Sequence, residues 1–208
     1  METDRNIVEM KGLCKAYGEH TLFENFDLEI ERGDFIVFSG KSGCGKTTLL
    51  NMIGALEPAD QGLILVNGID IGKRKKQITY FQEVVGFIFQ SFALIEEKTV
   101  RQNLELVHRK NRSQTTIEDA LHLVGLGDKA NSKIYTLSGG EQQRAALARL
   151  MVKKCQLVLA DEPTGSLDKE NAAIVMSLLK KMNEMGKTIV LVTHDEAIKK
   201  QGRRLVEL

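Results

Sequence analysis

Eight consecutive residues, Gly40-Lys-Ser-Gly-Cys-Gly-Lys-Thr47, match G-x-x-x-x-G-K-[ST], the pattern of a loop that cradles polyphosphate. Gly40, Gly43 and Gly45 let the backbone curl so that successive N–H groups turn inward, and Lys41, Ser42, Cys44 and Thr48 complete the cradle. Lys46 is expected to reach the β- and γ-phosphates and the Thr47 hydroxyl to ligate Mg²⁺. A second chemical element follows at Leu157-Val-Leu-Ala-Asp-Glu162, an apolar run ending in two acids. Enzymes with such a loop place there the carboxylate that holds Mg²⁺ through its water shell, so Asp161 takes that role. Glu162, next in line, can polarise a water as general base.

These groups need a frame. Phe35-Ile-Val-Phe38, Val85-Gly-Phe-Ile88, Leu157-Val-Leu-Ala160 and Thr188-Ile-Val-Leu-Val-Thr193 are short apolar runs that read as buried parallel strands. Helical patterns run from Lys46 to Ile53, Gly139 to Val152 and Asn171 to Met185, the last with Ile174, Leu178, Lys181 and Met185 at helical spacing. Strands alternating with helices define an α/β core. Earlier, Ile7 to Leu13, Phe26 to Ile30 and Leu63 to Val66 lie around turn signals and suggest an antiparallel sheet beside that core. Residues from about Ser91 to Lys133 hold no strand candidate and are expected to form a mostly helical insertion.

With 208 residues, 42% hydrophobic and 27% charged, the chain can bury a core unaided and is neither disordered nor fibrous. A formal net charge of +1 gives none of the excess positive field of a non-specific nucleic-acid binder, so no nucleic-acid partner is expected. The run Lys73-Arg-Lys-Lys76 reads as a solvated helix face. Cys14, Cys44 and Cys155 are odd in number and widely spaced, which fits a reducing compartment better than a disulfide framework. The opening Met1-Glu-Thr-Asp-Arg is polar and no stretch approaches the ~18 apolar residues of a membrane span, so the expected location is cytoplasmic.

Leu137-Ser-Gly-Gly-Glu-Gln-Gln-Arg144 separates this chain from other enzymes with a phosphate loop. Ser138, Gly139 and Gly140 present a hydroxyl and bare N–H groups at the start of a helix, a second anion site, while Ser138 and Glu141 also form a capping box. The segment resembles the signature sequence of ATP-binding cassette (ABC) proteins, and the resemblance covers essentially the whole chain. It implies a P-loop NTPase core of RecA-like type with a parallel sheet, an antiparallel β subdomain and a helical signature subdomain. Core would span about 1–90 and 155–208, and the helical subdomain about 91–154.

The resemblance carries further roles. Tyr17 is similar to the aromatic that stacks on adenine, Gln90 to the glutamine that contacts Mg²⁺ and water, Ser166-Leu-Asp168 to the loop that touches a partner cassette, and His194 to the γ-phosphate switch. By themselves Tyr17 reads as core packing and His194 as a satisfied histidine at a strand end. In this family the signature of one subunit closes over the phosphate loop of another, which implies an ATP-dependent pair, a homodimer in the simplest case. A separate integral membrane permease would hold the pair at the cytoplasmic face. Within the family the wording is similar to lipoprotein-release and macrolide-export ATPases and, at Gln90-Ser-Phe-Ala-Leu-Ile95, Lys133-Ile-Tyr135 and Arg204-Leu-Val-Glu-Leu208, to lactococcin-type bacteriocin exporters. Repair and translation members need a long heptad insertion or tandem cassettes, which this chain lacks; mechanical signalling without solute transport stays open.

Overall fold

The computed structural model describes residues 5–208, so the first four residues of the polar opening lie outside the described residues. In chain order come β1 (Asn6–Tyr17), β2 (His20–Glu31), β3 (Phe35–Ser39), α1 (Lys46–Ile53), β4 (Gln61–Val66), β5 (Ile69–Asp70), α2 (Arg74–Thr79), a wide helical turn at Tyr80–Val84 and β6 (Val85–Ile88). The second half runs α3 (Val100–Glu105), α4 (Ile117–Leu123), α5 (Gly139–Val152), β7 (Leu157–Asp161), α6 (Lys169–Glu184), β8 (Thr188–Val192), α7 (Glu196–Lys199) and β9 (Arg204–Glu207). The antiparallel sheet has order β2-β1-β4-β5 and the parallel sheet order β6-β7-β8-β3-β9.

Period-two alternation builds the layers. On β3, Ile36 and Phe38 join Leu157, Leu159, Val190 and Val192 against the antiparallel sheet and α1. Phe35 and Val37 point the other way, with Val158, Ala160, Ile189 and Leu191, into a second core shared with α3 to α6. β6, β7, β8 and β3 are covered on both faces, which is why their sequences are almost continuously apolar, whereas the edge strand β9 is largely exposed and carries Arg204 and Glu207. β7, β8 and β3 end side by side, so the acids after β7, the histidine after β8 and the loop after β3 emerge at one edge.

The helix limits of α1 and α5 coincide with the sequence expectation, and the three expected antiparallel strands, β1, β2 and β4, are each longer than expected. In α6 the buried apolar residues are Val175, Met176, Leu178, Leu179 and Met182; Ile174, Lys181 and Met185 are exposed, so of the expected stripe only Leu178 faces the core. The insertion has helical regular structure, but its helices are short and connected by irregular chain from Ser91 to Lys98 and around Ser113. Arg74, Lys75 and Lys76 are exposed on α2, as a solvated face requires.

Candidate active site

The loop after β3 reaches α1 through Gly40, Gly43 and Gly45 at φ of +146°, +84° and +95°, values that side chains resist. Gly45 is the residue before the first turn of α1, and it supplies no side-chain cap. The first N–H groups of α1 therefore stay free of a side-chain acceptor and face the loop's interior with the positive end of the helix dipole. Lys46 Nζ lies within the loop, donating to the carbonyls of Gly40 at 3.0 Å and Lys41 at 2.9 Å, with Cys44 Sγ 3.6 Å away. A cleft of about 500 Å³ opens here, lined by Ser42, Lys46, Thr47 and Thr48 from the loop side and by Glu162 and His194 opposite.

Asp161, the last residue of β7, and Glu162, the next, have different environments. Thr47 Oγ1 donates to Asp161 Oδ1 at 3.2 Å. Burial pushes the Asp161 carboxyl above its usual range; the Thr47 bond opposes the shift and the neighbouring Glu162 charge adds to it. A hydroxyl and a half-buried carboxylate, both hard oxygen donors in a site that disfavours negative charge, suit a small divalent cation beside phosphates, so Mg²⁺ fits the residues present.

Glu162 sits at φ +45°, a left-handed conformation uncommon for a residue with a side chain. Its N–H is anchored to the Val192 carbonyl at 3.0 Å, which continues the β7–β8 ladder past the strand end. Its carboxylate meets His194 Nδ1 at 2.8 Å through Oε1 and accepts from Thr193 Oγ1 at 3.2 Å through Oε2. The twisted backbone thus aims the carboxylate across to the end of β8. His194 itself is exposed.

Tyr17 ends β1 and is 47% exposed, so it is not a core residue. Its hydroxyl donates to Glu57 and adjoins the side chain of Thr48, which brings the ring to the first turn of α1. Gln90, exposed after β6, shares a second cleft with Phe92, Gly139, Asp161 and Ser166. Asp161 lines this second cleft and Glu162 the first, so the two clefts meet at the end of β7.

Ser138 caps α5 in a reciprocal box: its hydroxyl accepts from Glu141 N–H at 3.4 Å, and its own N–H donates to Glu141 at 2.9 Å. Ser138 and Gly139 are exposed and Gly140 is buried. Asp168 caps α6, accepting from Asn171 N–H at 2.8 Å. None of Ser138, Gly139, Gly140 and Asp168 lines the phosphate cleft; Gly139 lines the second cleft instead.

Sequence reasoning passed over three residues of this region. Lys15, two residues before Tyr17, packs against its ring; parity along a strand could have signalled it. Asn171 ties Asp168 to Arg144 of the signature helix, accepting from Arg144 at 2.8 Å, and its place three residues after an N-cap aspartate is the available clue. Thr193 anchors Glu162, a pairing across 31 residues with no local signal.

A phosphate loop, paired acids and a capped anion site on this sheet order define a nucleotide-hydrolysing cassette. The sequence profile of the family described as ABC transporter matches residues 23–165, and the chain belongs to that family and is an ATPase of its type. The macrolide export ATP-binding/permease protein MacB of Campylobacter jejuni is 38% identical over 209 residues, covering 97% of this chain and 33% of MacB. The chain therefore spans about a third of that relative's length. The lipoprotein-releasing system ATP-binding protein LolD of Bacteroides fragilis is 36% identical, with 97% of each chain covered. The dimeric structure of MJ0796, a bacterial ABC transporter cassette, superposes with a TM-score of 0.84 at 35% identity, covering 97% of this chain and 94% of that one. MJ0796 is also known as a dimer in a post-hydrolysis state bound to ADP and Pi, with a TM-score of 0.81. Among the described residues no helix is long and apolar enough to cross a membrane.

Proposed function

We propose that this chain works as the ATP-hydrolysing subunit of an exporter, closing head to tail with a second copy so that ATP lies between the phosphate loop of one and Ser138 to Gly140 of the other. The observation that carries the reading is the separation of the two anion sites: Lys46 and the free first turn of α1 in one cleft, the Ser138 cap outside it. The dimeric MJ0796 structures support it.

In this reading Tyr17 stacks on the base, the loop N–H groups and Lys46 bind the phosphates, and Thr48 lies where the α1 N-terminus meets the nucleotide. Thr47 and Gln90 would hold Mg²⁺ directly and Asp161 through its water shell, and the ion when bound supplies charge neutralisation on the phosphates. Glu162 orients the attacking water and takes its proton. His194, released from Glu162 Oε1, turns to the γ-phosphate and keeps the attack in line. Ser138 of the partner subunit offsets charge on the transferring phosphoryl, while Asp168 lies at the same junction. Catalysis is then mostly positioning and electrostatics.

The pair would sit at the cytoplasmic face of the membrane, held by an integral permease in the cleft near Gln90 and Phe92. Leu94, packed against the core, serves structure instead. Peptide or bacteriocin export is the cargo reading we favour, resting on the segments at Gln90 to Ile95, Lys133 to Tyr135 and Arg204 to Leu208; MacB and LolD are named for macrolide export and lipoprotein release.

Ser138→Arg tests the sandwich. The variant should bind ATP at its own loop yet neither dimerise in size-exclusion chromatography nor hydrolyse ATP. A variant that hydrolyses ATP as a monomer would reject the shared site.

A further inference from the structure

Tyr17 is gripped from behind. The Lys15 ammonium lies over the Tyr17 ring, 4.9 Å from its centroid, within cation–π range. Lys15 is only 6% exposed, unusual for a lysine. It is held by oxygens from a single stretch of chain: Glu57 Oε1 at 3.0 Å, the Pro58 carbonyl at 3.1 Å and Asp60 Oδ1 at 3.5 Å. Glu57 also accepts the Tyr17 hydroxyl, and Asp60 Oδ2 accepts the N–H of Ala16, between the two side chains, at 2.8 Å. The stretch is itself folded back onto α1, with the N–H of Glu57 donating to the Asn51 carbonyl at 3.3 Å.

We propose that Lys15 and Glu57 are positioning residues that fix the Tyr17 ring as a one-sided platform for a purine base. Lys15 occupies one ring face, which leaves the base the other. Glu57 fixes the rotation of the ring in its plane through the hydroxyl. An aromatic side chain whose torsions are already set loses little freedom when the base arrives, so affinity that would otherwise go into ordering the ring is retained. The cation behind the ring draws π density toward itself and away from the face offered to an electron-rich purine. The bond to Glu57 is the largest of the influences that hold the Tyr17 hydroxyl above its usual range, so the ring stays the neutral donor this arrangement needs. The same bond partner raises Lys15, opposed by burial, so the ammonium stays charged at physiological pH.

This inference rests on the reading of Tyr17 as the base platform, and the experiment separates the two. Equilibrium affinities of the full chain for ATP and for inorganic tripolyphosphate, which has no base, are measured by calorimetry in EDTA. The variants are Lys15→Met, Lys15→Arg, Glu57→Gln, Tyr17→Ala and the double variant Lys15→Met/Tyr17→Ala. Lys15→Met and Glu57→Gln should each weaken ATP about three- to tenfold with tripolyphosphate affinity unchanged. Lys15→Arg should restore ATP affinity to within twofold of wild type, and Lys15→Met should cost nothing further once Tyr17 is alanine. Equal losses for ATP and tripolyphosphate, or a Lys15→Met loss that persists in the Tyr17→Ala background, would overturn the positioning role. Wild-type ATP affinity in Tyr17→Ala would remove the platform reading and the inference with it; a loss there with none in Lys15→Met or Glu57→Gln removes the inference alone. If Lys15→Met fails to fold, the nearly isosteric Glu57→Gln decides.

Discussion

Adjacent glycines in the signature give opposite expectations on substitution by alanine. A Cβ on Gly140 would lie 2.2 Å from Asn171 Oδ1, 2.4 Å from its Cγ and 3.0 Å from its Cβ. Rotating the amide away does not relieve contact with the Asn171 Cβ, which moves only with α6. The amide also accepts from Arg144 and donates to Asp168, both at 2.8 Å, so its displacement disrupts two side-chain bonds. Overpacking costs about 1–3 kcal/mol and each lost bond about 0.5–1.5 kcal/mol, against a gain of up to about 1 kcal/mol from helix propensity. Gly140→Ala should therefore destabilise by about 1–5 kcal/mol, a fall in Tm of roughly 2–20 °C for a chain of this size. A Cβ on Gly139 meets only the Phe92 ring at 3.8 Å, so Gly139→Ala should leave Tm unchanged or slightly raised. In the proposed sandwich its methyl would nonetheless stand where the phosphate approaches the N–H groups of α5, so ATP-driven dimerisation should weaken while the fold persists. Thermal unfolding of the two purified variants, with size-exclusion chromatography in ATP, checks both. A Gly140→Ala Tm equal to wild type, or a Gly139→Ala loss as large as that of Gly140→Ala, would refute the reasoning.

Glu162→Gln should keep ATP binding and accumulate the ATP-bound dimer while lowering hydrolysis by about 10²- to 10⁴-fold; a rate within tenfold of wild type would remove Glu162 as the base. Asp161→Asn tests the sign of a buried charge. Because the folded-state carboxyl is raised above its unfolded value, the ionised form weakens the fold at neutral pH, and this penalty disappears as the pH falls through the carboxylate range. The variant should unfold at a higher temperature than wild type at pH 7, with the gap closing toward pH 4, and should lose stabilisation by MgATP; a lower Tm at pH 7 would contradict the burial argument.

Much of this protein is local, and what is local is legible. The phosphate loop is short, its glycines are demanded by backbone conformation, and Gly45 ends it where α1 begins, so the sequence by itself determined the cradle and the helix behind it. The Ser138 and Glu141 box marks the start of α5 for the same reason, since cap and helix lie within four residues. Four apolar runs announced β3, β6, β7 and β8 because strands covered on both faces carry no polar alternation, while the exposed edge strand β9 carried no such run.

Pairings between distant residues carried no such mark. Nothing near Glu162 tells that its carboxylate meets Thr193 and His194, for that depends on β7 and β8 being neighbours and on a left-handed turn after β7. Lys15 and Glu57 are 42 positions apart, and only the pairing of β1 with β4, which the Glu57 stretch leads into, closes them around Tyr17. The buried face of α6 was likewise undecided in the sequence: Ile174, Leu178 and Met185 make one apolar stripe, Val175, Leu178, Leu179 and Met182 another, and both have helical spacing. Packing of α6 against α5 and the parallel sheet selected the second. Periodicity states that a helix has an apolar side, and the neighbouring elements decide which stripe leaves water.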